Sequence, residues 1–389
     1  MLAFLPWSTI ERPLAVGAFE VASYSELCES NQIPEELRDS IVAILTTYDR
    51  RRPVDQNSVP IVRRRDLAWT AELDEQQINE YFDFRTALAF SALSARQFFA
   101  SRYANSDSLR LIVQGFAPER PDSIMLLVRR RDGLSRHIIS KEAQRFLRPE
   151  HVSHCDLNRD LDSDLLAALE SARDGDPDRW ETLDEAIRLF VGANTDSPDV
   201  GTHGELIDII SAYSRLANHW KEEETVRAFL ASLPTPEQSL KAEGPKAALD
   251  RVAEDLARGK SMREIWLRDA YRLRNQVGHG HVQAPRPGIW NAHEHLLLLS
   301  LNFPLYIKML LVENGHYQHT DRDIAENKAF DALASLDAFQ GADEDWGKEW
   351  RDTITRALLE PGIQKLAAAM QADARRLLGR QRDDSATRT

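Results

Sequence analysis

Cysteine is almost missing from this chain: among 389 residues only Cys28 and Cys155 occur. Two cysteines cannot build a disulfide framework, which excludes the small stapled scaffolds of secreted proteins and points to a reducing, cytoplasmic compartment. Also missing are a glycine-rich phosphate loop, a Gly-x-Ser-x-Gly elbow, a Cys/His nucleophile pair and any internal repeat. Those absences remove P-loop nucleotide hydrolysis, the serine-hydrolase plan and solenoid architectures from the readings. The opening MLAFLPWSTIERP has neither the basic start nor the long apolar core of a signal peptide, and Pro6 and Pro13 interrupt it. Long apolar runs are equally scarce. The most apolar stretch, Leu296 to Val312, is broken by Asn302, Pro304 and Lys308. It falls short of the roughly 20 residues that span a bilayer, so a buried core helix is expected and no membrane partner.

Positive charge is in deficit, with a net charge of −13. The deficit is uneven. Residues 1–150 hold 20 Lys/Arg against 21 Asp/Glu, whereas residues 151–389 hold 29 against 41. The first part also carries three arginine triplets, Arg50-Arg51-Arg52, Arg63-Arg64-Arg65 and Arg129-Arg130-Arg131. Phosphate binding depends on local cation clusters more than on total charge, so the second and third triplets are weak candidates for nucleic-acid contact. Solvated strand ends or salt-bridged faces are the competing reading.

What is present is enough for two domains with their own cores, at 42% hydrophobic residues. Residues 1–155 read as a small α+β domain. Helices are expected from about Pro34 to Thr47 and from about Asp74 to Tyr103. Strands are expected at Val59 to Val62, Ser108 to Phe116, Ser123 to Arg131 and Ser135 to Ser140, the last three as an antiparallel meander. Residues 156–389 read as helices nearly throughout: 163–172, 180–191, 205–217, 223–233, 246–257, 261–277, 289–313, 321–336, 345–359 and 362–380. The expected fold is mainly α, with an α+β front domain followed by an all-α bundle.

The informative segment is MREIWLRDAYRLRNQVGHGHV, Met262 to Val282. Metal-free RNA cleavage needs a base that takes the 2′-hydroxyl proton, an acid for the departing 5′-oxygen and a cation for the charge on the phosphorane. Histidine, with an unperturbed pKa of about 6.5, suits both proton steps. Arginine is permanently charged, and its planar fork matches two phosphate oxygens. Asn275 and His279 lie four residues apart and share a face wherever the helix persists. Asn275 can then orient the imidazole or hold a phosphate oxygen.

Arg274-Asn275-Gln276-Val277-Gly278-His279 resembles the signature of the HEPN superfamily, which is Arg, a polar residue, three residues and His. The flanks fit as well: Tyr271 one turn earlier, Val277 two before the histidine and Gly280 after it. The resemblance covers roughly residues 175–315. It implies a metal-independent endoribonuclease leaving a 2′,3′-cyclic phosphate. In it Arg274 stabilises the transition state, Asn275 orients and His279 acts as base and acid, while Arg272 and His281 stand nearby as weaker RNA contacts. It also implies a homodimer, whose second motif would supply the second histidine. A separate domain ahead of a C-terminal HEPN module resembles the plan of ApeA-like abortive-infection effectors, in which the front domain senses a phage- or stress-derived trigger. No cofactor and no metal are expected.

Other readings stay open. An arginine and a histidine at a helix C-terminus can simply complement the helix dipole and cap its carbonyls. The pairs His279/His281 and His293/His295 could be metal ligands, as could His151, His154 and Cys155, although a surface loop suits the last group better. A HEPN module that only dimerises within a larger assembly is the alternative function, and the acidic second half fits it.

Overall fold

Short, mostly apolar runs form the strands, and successive side chains of a strand point to opposite faces. The computed structural model describes residues 1–49, 56–100, 102–116, 123–140, 145–240, 247–278, 288–339 and 347–360. The strands are β1 (Leu2–Phe4), β2 (Ser8–Thr9), β3 (Leu14–Val16), β4 (Phe19–Ser23), β5 (Tyr48–Asp49), β6 (Pro60–Arg64), β7 (Ile112–Gly115), β8 (Ser123–Arg130), β9 (Gly133–Ser140), β10 (Phe146–Leu147) and β11 (Cys155–Asp156). Seven of them make an antiparallel sheet in the order β3-β4-β6-β1-β7-β8-β9. The expected meander is its β7-β8-β9 side. Its interior strand β1 is only three residues long, too short for a period to show in the sequence.

Alternation also sorts the two faces. Leu2, Phe4, Ala22 and Ile61 join a core with Leu27 of α1 (Tyr24–Glu29) and with Ile41, Ile44 and Leu45 of α2 (Glu35–Leu45). On the opposite face Phe19 stacks on Phe84 at 4.5 Å and meets Tyr81 edge-on at 5.0 Å, both from α3 (Glu75–Ala95). A capping box between Asp74 and Gln77 starts α3 where the sequence places it. The helix ends at Ala95, short of the expected Tyr103. Arg96 turns to extended backbone, donates to Asn194 Oδ1 at 2.9 Å and lies over the rings of Phe98 and Tyr103. The expected strand at Ser108 likewise begins later, at Ile112. Asn105 accepts from the Ser108 amide at 3.0 Å and winds Ser106–Leu109 into a 3-10 turn.

The helices that follow are α4 (Ser163–Gly175), α5 (Pro177–Ala193), α6 (Thr202–Leu216), α7 (Glu222–Ser232), α8 (Ala247–Ala257), α9 (Met262–Gly278), α10 (Ala292–Glu313) and α11 (Asp321–Ser335), with a further helix over residues 348–360. The expected helix at 362–380 lies outside the described residues. The N-cap of α4 is Asp162, whose side chain accepts from the Leu165 amide. By length and composition α10 could cross a membrane, but 72% of its apolar window is buried inside the protein, the environment of a core helix. The molecule is thus mainly helical with an N-terminal sheet.

The change from mixed structure to helix falls after β11, whereas the contacts divide the chain elsewhere. Unit 1 comprises Met1–Leu233 with Leu267–Gln318, and unit 2 comprises Pro234–Trp266 with His319–Thr389. Within unit 1, Phe303 of α10 stacks on Phe190 of α5 at 4.4 Å, and both meet Phe90 of α3 edge-on. The helices and the sheet layer therefore share one core. Within unit 2, the fully buried Arg263 donates to Asn327 Oδ1 at 2.6 Å and to the Pro234 carbonyl at 3.2 Å, and lies over Phe330.

Lys308 of α10 is buried at 3% exposure and its Nζ lies 2.7 Å from Asp162 Oδ2. That carboxylate also caps the Leu165 amide and accepts from Ser94 Oγ at 3.0 Å. Lys308→Met strips the cation from a sheltered carboxylate and should cost about 2–3 kcal/mol, read as a lower urea midpoint with unchanged slope. Adding Asp162→Asn, which still caps α4, should recover part of the loss. A single variant of wild-type stability would show that the pair carries none of this.

Candidate functional site

The motif helix α9 forms because Ser261 accepts from the Glu264 amide at 3.2 Å and Ile265, Trp266, Ala270 and Tyr271 give it an apolar side. The helix persists through Gly278, so Arg274 and Asn275 are both helical. Tyr271, 2% exposed, hydrogen-bonds the Ser214 hydroxyl of α6. Burial raises its pKa, opposed by the Ser214 and Thr225 hydroxyls. One turn on, Arg274 is half-buried and its Nη1 donates to Asn275 Oδ1 at 3.1 Å. Its Nε is buried and has no hydrogen-bond partner among the described residues. Asn275 thus orients the arginine, and the guanidinium keeps donors for an anion. Arg272 is exposed, and a side chain at exposed Gly278 would meet only open space. His279 and His281 lie outside the described residues.

A second group on α9 was not legible in the sequence. Asp269 is buried and its Oδ2 accepts from the Ile289 amide at 2.8 Å, the Trp290 amide at 3.2 Å and His295 Nε2 at 3.2 Å. Gly288 lies so close that a Cβ there would stand 2.8 Å from the Trp290 carbonyl oxygen. Residues 288–290 therefore lie against the same helix that carries Arg274. A capping box between Asn291 and Glu294 then starts α10. His295 is fully buried in this arrangement while His293 is exposed, so the two do not form a ligand pair. The Asn-x-x-Glu cap could have been read from sequence; the Asp269–His295 contact joins distant residues and could not.

The remaining candidates fall elsewhere. Arg63 of β6 pairs with Glu20 at 3.5 Å, Arg64 with Asp66 and Glu80, and Arg65 donates to the Gly17 carbonyl. Salt-bridged faces of the sheet describe this triplet. Arg129 and Arg130 end β8 opposite Leu134 and Gly133, and Arg131 stands in the exposed turn. Arg50, Arg51 and Arg52 lie outside the described residues. His151 pairs with Asp107 at 3.0 Å, and His154 contacts Thr9 Oγ1 at 3.1 Å. Cys155 corrects the surface-loop reading: it is fully buried in β11, paired with Ser8 of β2, and burial pushes its thiol pKa far up. Among the described residues no group of three or more His, Cys, Asp or Glu is placed to hold a metal ion.

Burial, outweighing the Asp269 carboxylate, holds the His295 pKa below its ordinary value. The unfolded chain then binds a proton that the folded chain refuses. Stability from this residue is whole above the ordinary histidine range and declines as pH falls below about 6.5. Urea titrations between about pH 8 and pH 5 should show that decline, and His295→Gln should flatten it. An equal slope in the variant would assign the effect to other groups.

No family model, curated protein or solved structure matches this chain.

Proposed function

We propose that the C-terminal end of α9 is the phosphate-gripping part of a metal-independent endoribonuclease site of the HEPN type. The observation that supports it most is the half-buried Arg274, oriented by Asn275 and with a buried Nε left unpaired among the described residues. An arginine that merely complemented the helix dipole would have no need of a side chain to aim it. In this reading a bridging phosphate docks on the guanidinium, His279 takes the 2′-hydroxyl proton, and the charge that gathers on the phosphorane is met by Arg274. One histidine serves one proton step at a time, so a two-fold homodimer with both motifs lining one cleft completes the site. The plan of an ApeA-like effector, cytoplasmic and triggered through its N-terminal region, follows from the same resemblance.

One observation favours a second reading. The excess of acid in residues 151–389 repels RNA, as suits a module that only assembles with other chains. Purified protein incubated with total RNA in EDTA separates the two. Cleavage should survive the chelator, leave a 2′,3′-cyclic phosphate and vanish with His279→Ala. Arg274→Lys should be severely impaired, because a point-like ammonium cannot grip two oxygens. Asn275→Ala should lose about 30-fold, or ~2 kcal/mol, through a misaimed arginine. A substrate lacking the 2′-hydroxyl at the cut position should be inert; its cleavage at a comparable rate, or activity only with added divalent ion, would remove this mechanism.

A further inference from the structure

The turn between α6 and α7 holds a large apolar side chain out in solvent, and hydrogen bonds tie the backbone on both sides of it. Trp220 is 67% exposed. Asn218, in the left-handed region at φ 52°, ends α6, and the His219 amide donates back to the Ser214 carbonyl at 3.1 Å. The fully buried Thr225 hydroxyl lies 3.3 Å from the His219 carbonyl oxygen and 3.1 Å from that of Lys221. Hydrogen bonds therefore hold the residues on both sides of Trp220, while Trp220 itself stays mostly in solvent. Exposing an aromatic ring of this size forgoes favourable burial, and the turn spends several hydrogen bonds on keeping it there.

The same turn abuts the motif helix. The Tyr271 hydroxyl contacts hydroxyls on both flanks of the turn, Ser214 before it and Thr225 after it, and Arg268 pairs with Glu222 at 3.3 Å. Arg268, Tyr271, Arg272 and Asn275 stand at helical spacings of three, four and seven, so their side of α9 is the one that runs beside the turn. The acids here are each occupied: Glu222 by Arg268, Glu223 by Arg227 at 3.4 Å and Glu224 by His219 at 3.3 Å. Lys221, next to Trp220 in the chain, and Arg272, on this side of α9, are both exposed.

We propose that Trp220 is a base-stacking subsite for single-stranded RNA, placed so that a nucleobase rests on the indole while the adjoining backbone lies along Arg272 and Arg274. This rests on the ribonuclease reading above and names how its substrate is held. Flat aromatic platforms next to cations are how proteins hold unpaired bases, because every base offers a π-face. A second copy of this chain fits the turn less well. The ring is isolated among Asn218, His219 and Lys221, all exposed, whereas a stable dimer buries on the order of 800 Å² of continuous surface per partner.

The full-length His279→Ala protein, which should bind without cutting, is titrated with a fluorescein-labelled single-stranded 12-mer RNA of mixed sequence. Adding Trp220→Ala should weaken binding by about 10-fold or more, the size of one base stacked on an aromatic ring, and Trp220→Phe should restore most of it. In the cleavage assay Trp220→Ala should act mainly through KM. Unchanged RNA affinity in Trp220→Ala overturns the subsite even if cleavage still depends on Arg274. Dissociation of a dimer by Trp220→Ala, with RNA affinity per site unchanged, overturns it in favour of the second copy. The converse, RNA binding that depends on Trp220 in a protein whose RNA is never cut, upholds the subsite and sinks the nuclease reading alone.

Discussion

A helix that is apolar on every side must be covered on every side, and that requirement on α10 organises unit 1. The cover comes from α3, α4, α6 and α7, drawn from both halves of the chain. Apolar burial alone would let such a helix slide or rotate among its neighbours, since leucines are interchangeable to it. Its polar residues prevent this. Lys308 needs Asp162, Ser300 donates to Asn194 Oδ1 at 3.1 Å, and His295 needs Asp269. A register shift would strand several of these buried groups at once, at a cost of a few kcal/mol each.

The placement of the candidate site follows from that register. Tyr213 of α6 packs on Phe303 and Tyr306 of α10, and Phe229 of α7 meets Tyr306 edge-on. Those contacts set α6 and α7, and Ser214 and Thr225 on them receive Tyr271 of α9. The motif helix is thus located by a hydroxyl network on one side and by Asp269 at the return of the chain on the other. Among the described residues Arg274 is held by its helix neighbour Asn275 and by no tertiary ion pair, which leaves its guanidinium to a ligand in the proposed reading. Buried groups that answer one another build the frame, and Arg274, whose buried Nε has no hydrogen-bond partner among the described residues, sits where chemistry is proposed.

Electrostatics give the same division of labour. The chain is strongly acidic, and the arginine triplet at the end of β6 is occupied: Arg63, Arg64 and Arg65 answer Glu20, Asp66, Glu80 and a carbonyl. Arg268, Arg227 and Arg215 likewise answer glutamates of the helices. A polyanion gains little from charges committed in this way, so affinity at the motif has to come from a focused point and from contacts that are not ionic. Stacking on an exposed indole is a contact of that kind.

The sequence by itself determined the elements that carry strong local signals: the meander, the amphipathic helices, the capped start of α3, the buried character of α10 and the motif on α9. Each is decided by periodicity, capping chemistry or covalent order within one or two turns of chain. It did not reveal β1, whose three residues are too few to show a period, nor the early end of α3, which Arg96 makes by turning to Asn194 nearly a hundred residues away. The triplet at Arg63 read as a possible anion site because a sequence shows charges without their partners. Only the tertiary structure decided which polar residues were spent on one another. The Asp269–His295 contact, the Lys308–Asp162 pair and the turn that holds Trp220 out beside the motif all join residues whose proximity arises from packing, and packing is not written in any local stretch of chain.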